Sequence, residues 1–329
     1  MAKALAASAT AELSELFPAI ARMAAAPDFF LRVHREPGPR RYPRTKIMPM
    51  NDVLLQIDSY PETTPPEAIE QAARFTAAVG GVLSGLAVEI DIRAPNNALA
   101  DYLIGLSRLA EDEEQKSRQA CKAALEIFST KAREVGVLGA ALHGKANIDC
   151  VGEYVAKAAR TRDLCIVPVA NRLDGQRSIA EAVVFGSGRP VLIFRPGVAN
   201  LLDEGLSAVV LAWDGSRSAA RAMADALPVM LKAREVRVLT VVNDKPDARS
   251  GLGVDVVRHL KAHGVNAMAD EVEADNRRIG RVLEEYAADC RSDLLVMGAY
   301  GRSRVREFIL GGATEHMLRD PKVPLFLAH

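Results

Sequence analysis

The sequence predicts an α/β fold: two domains in tandem, each a five-stranded parallel sheet with helices on both faces. Two observations carry this. Short, near-continuous runs of Val, Leu and Ile alternate with helical segments, as expected of strands buried on both faces of a parallel sheet. The same order of runs then occurs twice, and a repeat of this length marks paired domains rather than a solenoid. The 329 residues are enough for both.

Residues 1–47 precede the pattern. An Ala-rich stretch leads into RVHREPGPRRYPRTK, basic and Pro-rich, which predicts a disordered extension outside any core. Met48 and Met50 directly precede the first apolar run, so the extension also reads as an over-long start. The first domain is assigned to residues 48–197. DVLLQID (52–58) predicts its first strand, and PPEAIEQAARFTAAVG a helix that stops at Gly80-Gly81. GVLSGLAVEIDI is the second strand. A long charged helix follows around 98–135, where EDEEQKSR places opposite charges four residues apart. VGVLGAALHG (135–144), a helix near 150–160, DLCIVPV (163–169), a helix near 176–185 and PVLIFRP (190–196) complete the unit. VANLLDEG is the join, and the second domain is assigned to residues 198–329. There SAVVLAWDGS matches DVLLQIDS, with Asp214 in the place of Asp58; VRVLTVVND, DLLVMGA and VPLFLAH match the second, fourth and fifth strands of the first copy.

Composition narrows the function. Lys+Arg and Asp+Glu both number 42, so no net charge draws the chain to nucleic acid or membrane. No apolar run approaches the ~20 residues of a membrane helix, and Glu12 and Glu15 interrupt the stretch where a signal peptide would need its apolar core. The basic extension has no interleaved aromatics beyond Tyr42, which argues against a nucleic-acid arm. The four cysteines lack metal-like or CxxC spacing and read as buried thiols. A cytoplasmic protein is expected.

The stretch GAYGRSRVREFILGGATEHML holds the most specific signal. Gly298 and Gly301 follow the fourth strand of the second copy, at the carboxyl end of the sheet, where open parallel sheets bind ligands. Gly311-Gly312 precede a helix whose free N–H groups and dipole favour an anion. Neither a P-loop nor a dinucleotide fingerprint is present. Arg302, Arg304 and Arg306 read as a solvated loop face, with phosphate contact as the alternative. His259 and His263 would share one helix face, but no third zinc ligand accompanies them. His316 reads as a surface or packing residue. No nucleophile–base pair with motif support appears, so no catalytic residue is nominated.

This stretch resembles the C-terminal signature of the universal stress protein family, G-x2-G-x9-G-[ST]. Gly298, Gly301 and Gly311 fall on its glycines, and Asp214-Gly215-Ser216 on the Asp-Gly-Ser that closes the family's first strand. The likeness spans roughly 48–329, strongly in the second copy and weakly in the first. It implies two Rossmann-like domains of the adenine nucleotide α-hydrolase type. It also implies ATP or AMP as ligand, with Mg2+ accompanying ATP, and no redox cofactor. By position the family's adenosine contacts are Ala212, Trp213, Asp214 and Val241. Its phosphate and ribose contacts are Met297, Gly298, Tyr300, Gly301, Gly311, Gly312, Ala313 and Thr314. In relatives the final strands of two domains pair across a dimer interface, which implies an internal pseudo-dimer here and a homodimer of chains as a further assembly.

Two departures qualify the resemblance. The family's Ser/Thr after the third glycine is Gly312, which implies weakened nucleotide binding rather than none. Trp213 is bulkier than usual beside the adenine position and either stacks on a base or blocks it. In the first copy Pro168-Val169-Ala170-Asn171 replaces GxxG and the loop is four residues shorter, so no nucleotide is expected there. The resemblance implies a nucleotide-responsive stress module with slow hydrolysis or none. A scaffold of the same fold that binds only a partner protein, and an enzyme that splits or transfers adenylate, are the alternatives.

Overall fold

The computed structural model describes residues 50–92, 106–169, 174–197, 205–242, 251–299 and 312–329. The first half contains β1 (Asp52–Ile57), α1 (Pro66–Val79), β2 (Val82–Asp91), α2 (Leu106–Glu134), β3 (Leu138–Asn147), α3 (Val151–Ala159), β4 (Leu164–Pro168), α4 (Asp174–Gly186) and β5 (Val191–Phe194). The second contains β6 (Ala208–Ala212), α5 (Arg217–Met230), β7 (Glu235–Val242), α6 (Leu252–Ala262), β8 (Ala267–Glu273), α7 (Ile279–Asp289), β9 (Leu294–Gly298), α8 (Gly312–Arg319) and β10 (Leu325–Ala328).

All ten strands form one sheet in the order β3-β2-β1-β4-β5-β10-β9-β6-β7-β8. Within each half every neighbouring pair is parallel. The halves meet where β5 and β10 run antiparallel, with Leu192 opposite Phe326 at the centre. Each half is thus a doubly wound α/β unit, and the repeat read in the sequence extends to its hydrogen bonds. Asp163, just before β4, accepts the backbone N–H groups of Asn51 and Asp52 at 2.9 and 3.0 Å. Asp293, just before β9, accepts those of Ser207 and Ala208 at 2.6 and 2.9 Å. One carboxylate per half pins the start of the first strand to the start of the fourth.

The apolar runs become strands covered on both faces. Along β1, Val53, Leu55 and Ile57 enter one core, shared with α1, α2 and α5, while Leu54 enters the opposite core, shared with α3 and α4. Both cores run through the two halves: the first holds Val53 and Val209, the second Leu54 and Val210. The halves also touch through Arg195, which donates to Asp320 at 2.6 Å, and through the rings of Phe185 and His329, set edge-on at 5.3 Å.

Local signals set the helix ends. Pro66 opens α1, where its missing N–H costs nothing, and Gly80 closes it in the left-handed conformation at φ 81°. The third strand lies later than the sequence predicts, over Leu138–Asn147 rather than 135–144, because Val135 and Gly136 form the turn that follows α2, with Gly136 at φ 75°. Cys121 and Cys165 are buried thiols as expected, but Cys150 is exposed ahead of α3 and Cys290 is half-buried. Among the described residues no helix is long and apolar enough to cross a membrane.

Candidate functional site

In the second half β6 lies between β9 and β7. The chain leaves β6 for β7 on one side and returns by β9 on the other, so the crevice beyond its carboxyl end is the topological switch point. Ala212 is the last residue of β6 and is half-buried. Trp213 N donates to the Leu239 carbonyl at 2.8 Å, which extends the β6–β7 ladder by one bond, and its side chain packs on the first core. Asp214 is exposed and its Oδ1 accepts from Ser216 N at 2.9 Å. Gly215 turns with φ at 72°. Ser216 then caps α5, its Oγ accepting from Ala219 N at 3.1 Å. On β7, Val241 is half-buried opposite Val272 and packs on the second core.

From the other side come Met297, buried, and Gly298, half-buried, at the end of β9. A Cβ at Gly298 would stand 2.5 Å from the backbone of both Ser218 and Ala219. Close approach of the first turn of α5 therefore accounts for this glycine, which the sequence marks as a ligand contact. Gly312 differs. It is exposed at the start of α8, and a Cβ there would meet no described residue within 4 Å. Ala313 packs on the second core and Thr314 is buried. Two helix N-termini, of α5 and α8, and three strand ends thus supply the described part of this site. Tyr300, Gly301 and Gly311, with Arg302, Arg304 and Arg306, lie outside the described residues.

His316 stands on the inner side of α8. Its Nε2 lies 3.0 Å from Glu284 Oε2, and a Cβ at Gly280 would fall 2.6 Å from its own Cβ, so it seats α8 on α7. His259 and His263 stack edge-on with ring centroids 4.7 Å apart. His329 Nδ1 lies 3.1 Å from the carbonyl oxygen of Ala299, the last described residue of the site's β9 side.

The corresponding place in the first half is closed by its own side chains. Asp58, the counterpart of Asp214, is only 6% exposed. Gln56 Nε2 donates to its Oδ1 at 2.6 Å, and Gln176 Nε2, from the first turn of α4, donates to its Oδ2 at 2.7 Å. Burial pushes this carboxyl up to about 6, against the downward pull of the two amides. Ser59 Oγ donates to the carbonyl of Val88 at 2.7 Å and shares a hydrogen bond with Ser117 Oγ at 2.8 Å. Val88 is the residue of β2 that corresponds to Val241 in the repeat. Sequence reasoning marked this half only by what it lacked. The positive signal was a Gln inside an otherwise apolar strand, DVLLQID.

Residues 206–329 match the family model described as "Universal stress protein family". A universal stress protein of Synechocystis sp. is 30% identical over 123 residues, or 36% of this chain and 42% of the relative, so the match spans less than half of that protein's length. The crystal structure of a universal stress protein from Archaeoglobus fulgidus superposes with a TM-score of 0.58 at 17% identity, covering 84% of this chain and 95% of that one. The sequence match lies in the second half, while the structural likeness takes in the fold of both.

Proposed function

On the match of residues 206–329 to the universal stress protein family model, we propose that this half binds an adenine nucleotide, ATP or AMP, at the carboxyl ends of β6, β7 and β9. The chain would then act as a nucleotide-responsive binding module in stress adaptation, with little or no hydrolysis. The observation that carries the reading is the contrast between the halves. At the start of α8 no described residue lies against Gly312, whereas at the start of α4 Gln176 reaches in to Asp58 and fills the equivalent place. Asp214, Ala212, Trp213 and Val241 would hold the nucleoside. Gly312, Ala313 and Thr314 would present the helix N-terminus to the phosphates, whose charge is favoured there by the free N–H groups and the dipole; Mg2+ would accompany ATP. The chain itself would serve as the pseudo-dimer of two such domains.

Titration calorimetry with ATP on the whole protein tests this. Millimolar ATP is expected to bind, with one site per chain, and Asp214→Ala to weaken binding about tenfold or more, as loss of a charged hydrogen-bond partner does. The absence of heat and of thermal stabilisation at millimolar ATP would defeat the proposal. A second reading, a partner-binding scaffold of the same fold, draws on Gly298, which packing against α5 accounts for without any ligand. The same titration separates the two.

A further inference from the structure

The Asp58 cluster does something that a sealed-off site does not require. A carboxyl group sits inside the protein with neutral partners: two carboxamides bond its oxygens, from β1 and from α4. Its backbone is held as well, since Asp58 N donates to Thr64 Oγ1 at 2.8 Å and Thr64 N to the Asp58 carbonyl at 3.2 Å. Among the described residues, Glu89 and Arg177 on the flanking elements have charged partners of their own. On β2, Glu89 accepts from Arg118 of α2 at 2.9 Å, with His143 and Lys145 of β3 close by. On α4, Arg177 pairs with Glu181 at 2.7 Å. On the segment after β1, Tyr60 is half-buried and Glu62 exposed. The thiols of Cys121 on α2 and Cys165 on β4 are pushed up by burial and stay neutral.

An ionised carboxylate only accepts hydrogen bonds, and two amide N–H groups suit it. A protonated one has a hydrogen to donate and needs an acceptor. One is at hand: Gln56 Oε1 is buried and has no hydrogen-bond partner among the described residues. A half-turn of the Gln56 carboxamide exchanges Oε1 with Nε2 and presents an acceptor to Asp58 without moving the backbone.

We propose that Asp58, Gln56 and Gln176 form a proton-operated latch between the end of β1 and the start of α4. With Asp58 ionised, both amides donate to it. When it takes a proton from solvent, the Gln56 amide reverses and accepts, while Gln176 continues to donate. The latch is independent of whether the second half binds nucleotide.

The sign follows from the raised value. Relative to an unfolded chain near 3.8, a carboxyl at about 6 adds stability that is complete below the unfolded value and is lost as pH rises through 6. The latch is therefore tighter in mild acid, and one proton changes the unfolding constant by at most about tenfold per pH unit.

Side-chain NMR of the full chain tests it. The carboxyl carbon of Asp58 and the side-chain amides of Gln56 and Gln176 are followed from about pH 4.5 to 8. The Asp58 signal is expected to titrate close to pH 6, with the Gln56 amide moving at the same midpoint and Gln176 moving less. In Asp58→Asn, which has the shape of the protonated acid, the Gln56 amide is expected to keep its low-pH position throughout. The wild-type-minus-variant difference in unfolding constant should then carry the pH dependence between 5 and 7. An Asp58 midpoint in the ordinary carboxylate range, or a Gln56 amide that ignores the titration, overturns the latch. The wild-type titration decides this even if the variant folds poorly.

Discussion

Gly298 and Gly312 belong to one stretch of sequence, yet a side chain would meet opposite surroundings at each. At Gly298 it would strike the backbone of α5, while at Gly312 it would meet no described residue. Among the described residues only the second position leaves room for a side chain, and it is the one where the family pattern places Ser or Thr. Gly312→Ser is therefore expected to fold normally and to tighten ATP binding, by about tenfold if the hydroxyl gains a charge-assisted hydrogen bond of roughly 1.5 kcal/mol. Calorimetry beside the parent protein reads this directly, and an unchanged affinity would mean that phosphate does not lie at the start of α8. Sequence spacing alone gave both glycines one purpose, because spacing does not reveal which neighbour approaches a missing Cβ. The buried carboxyl shows the same limit. Asp58 was legible as the counterpart of Asp214, but its burial depends on Gln176, far away in the chain and brought close only by the fold.

Among the elements, legibility followed burial. The strands with both faces covered, such as β4, β5, β9 and β10, were plain as Val/Leu/Ile runs. β8 was not singled out: it lies at the sheet edge, and in AMADEVE only Ala267 is fully buried, so polar and apolar residues alternate weakly. Helices were placed to within a few residues where a cap or glycine marked the end. The start of α5, for which no helix was read in the sequence, bears directly on the site. Ser216 Oγ caps it while Asp214 holds Ser216 N, so the cap, the turn and the exposed carboxylate form one unit. Ser216→Ala is expected to cost about 1 kcal/mol of stability, as loss of a helix N-cap does. Chemical denaturation would show it as a lower midpoint with an unchanged slope.

Across the whole molecule, the two halves have the same strand order and different interiors at the same place. One keeps an open helix start beside Gly312; the other has drawn Gln176 and Asp58 together. The join between them is a stretch of sheet like any other. Val191, Leu192 and Ile193 of β5 face Leu327, Phe326 and Leu325 of β10, and all six are fully buried. Both apolar layers pass through the seam without interruption. Calorimetrically, the described residues have no weak plane along which to come apart: neither half can melt without stripping a full strand edge and two core faces from the other. One heat-absorption peak is therefore expected, with the calorimetric enthalpy equal to the van't Hoff enthalpy. Phe326→Ala should move that peak downward as a whole, by the several degrees that a core truncation of about 3–5 kcal/mol implies. Two separable peaks would mean that the halves melt independently.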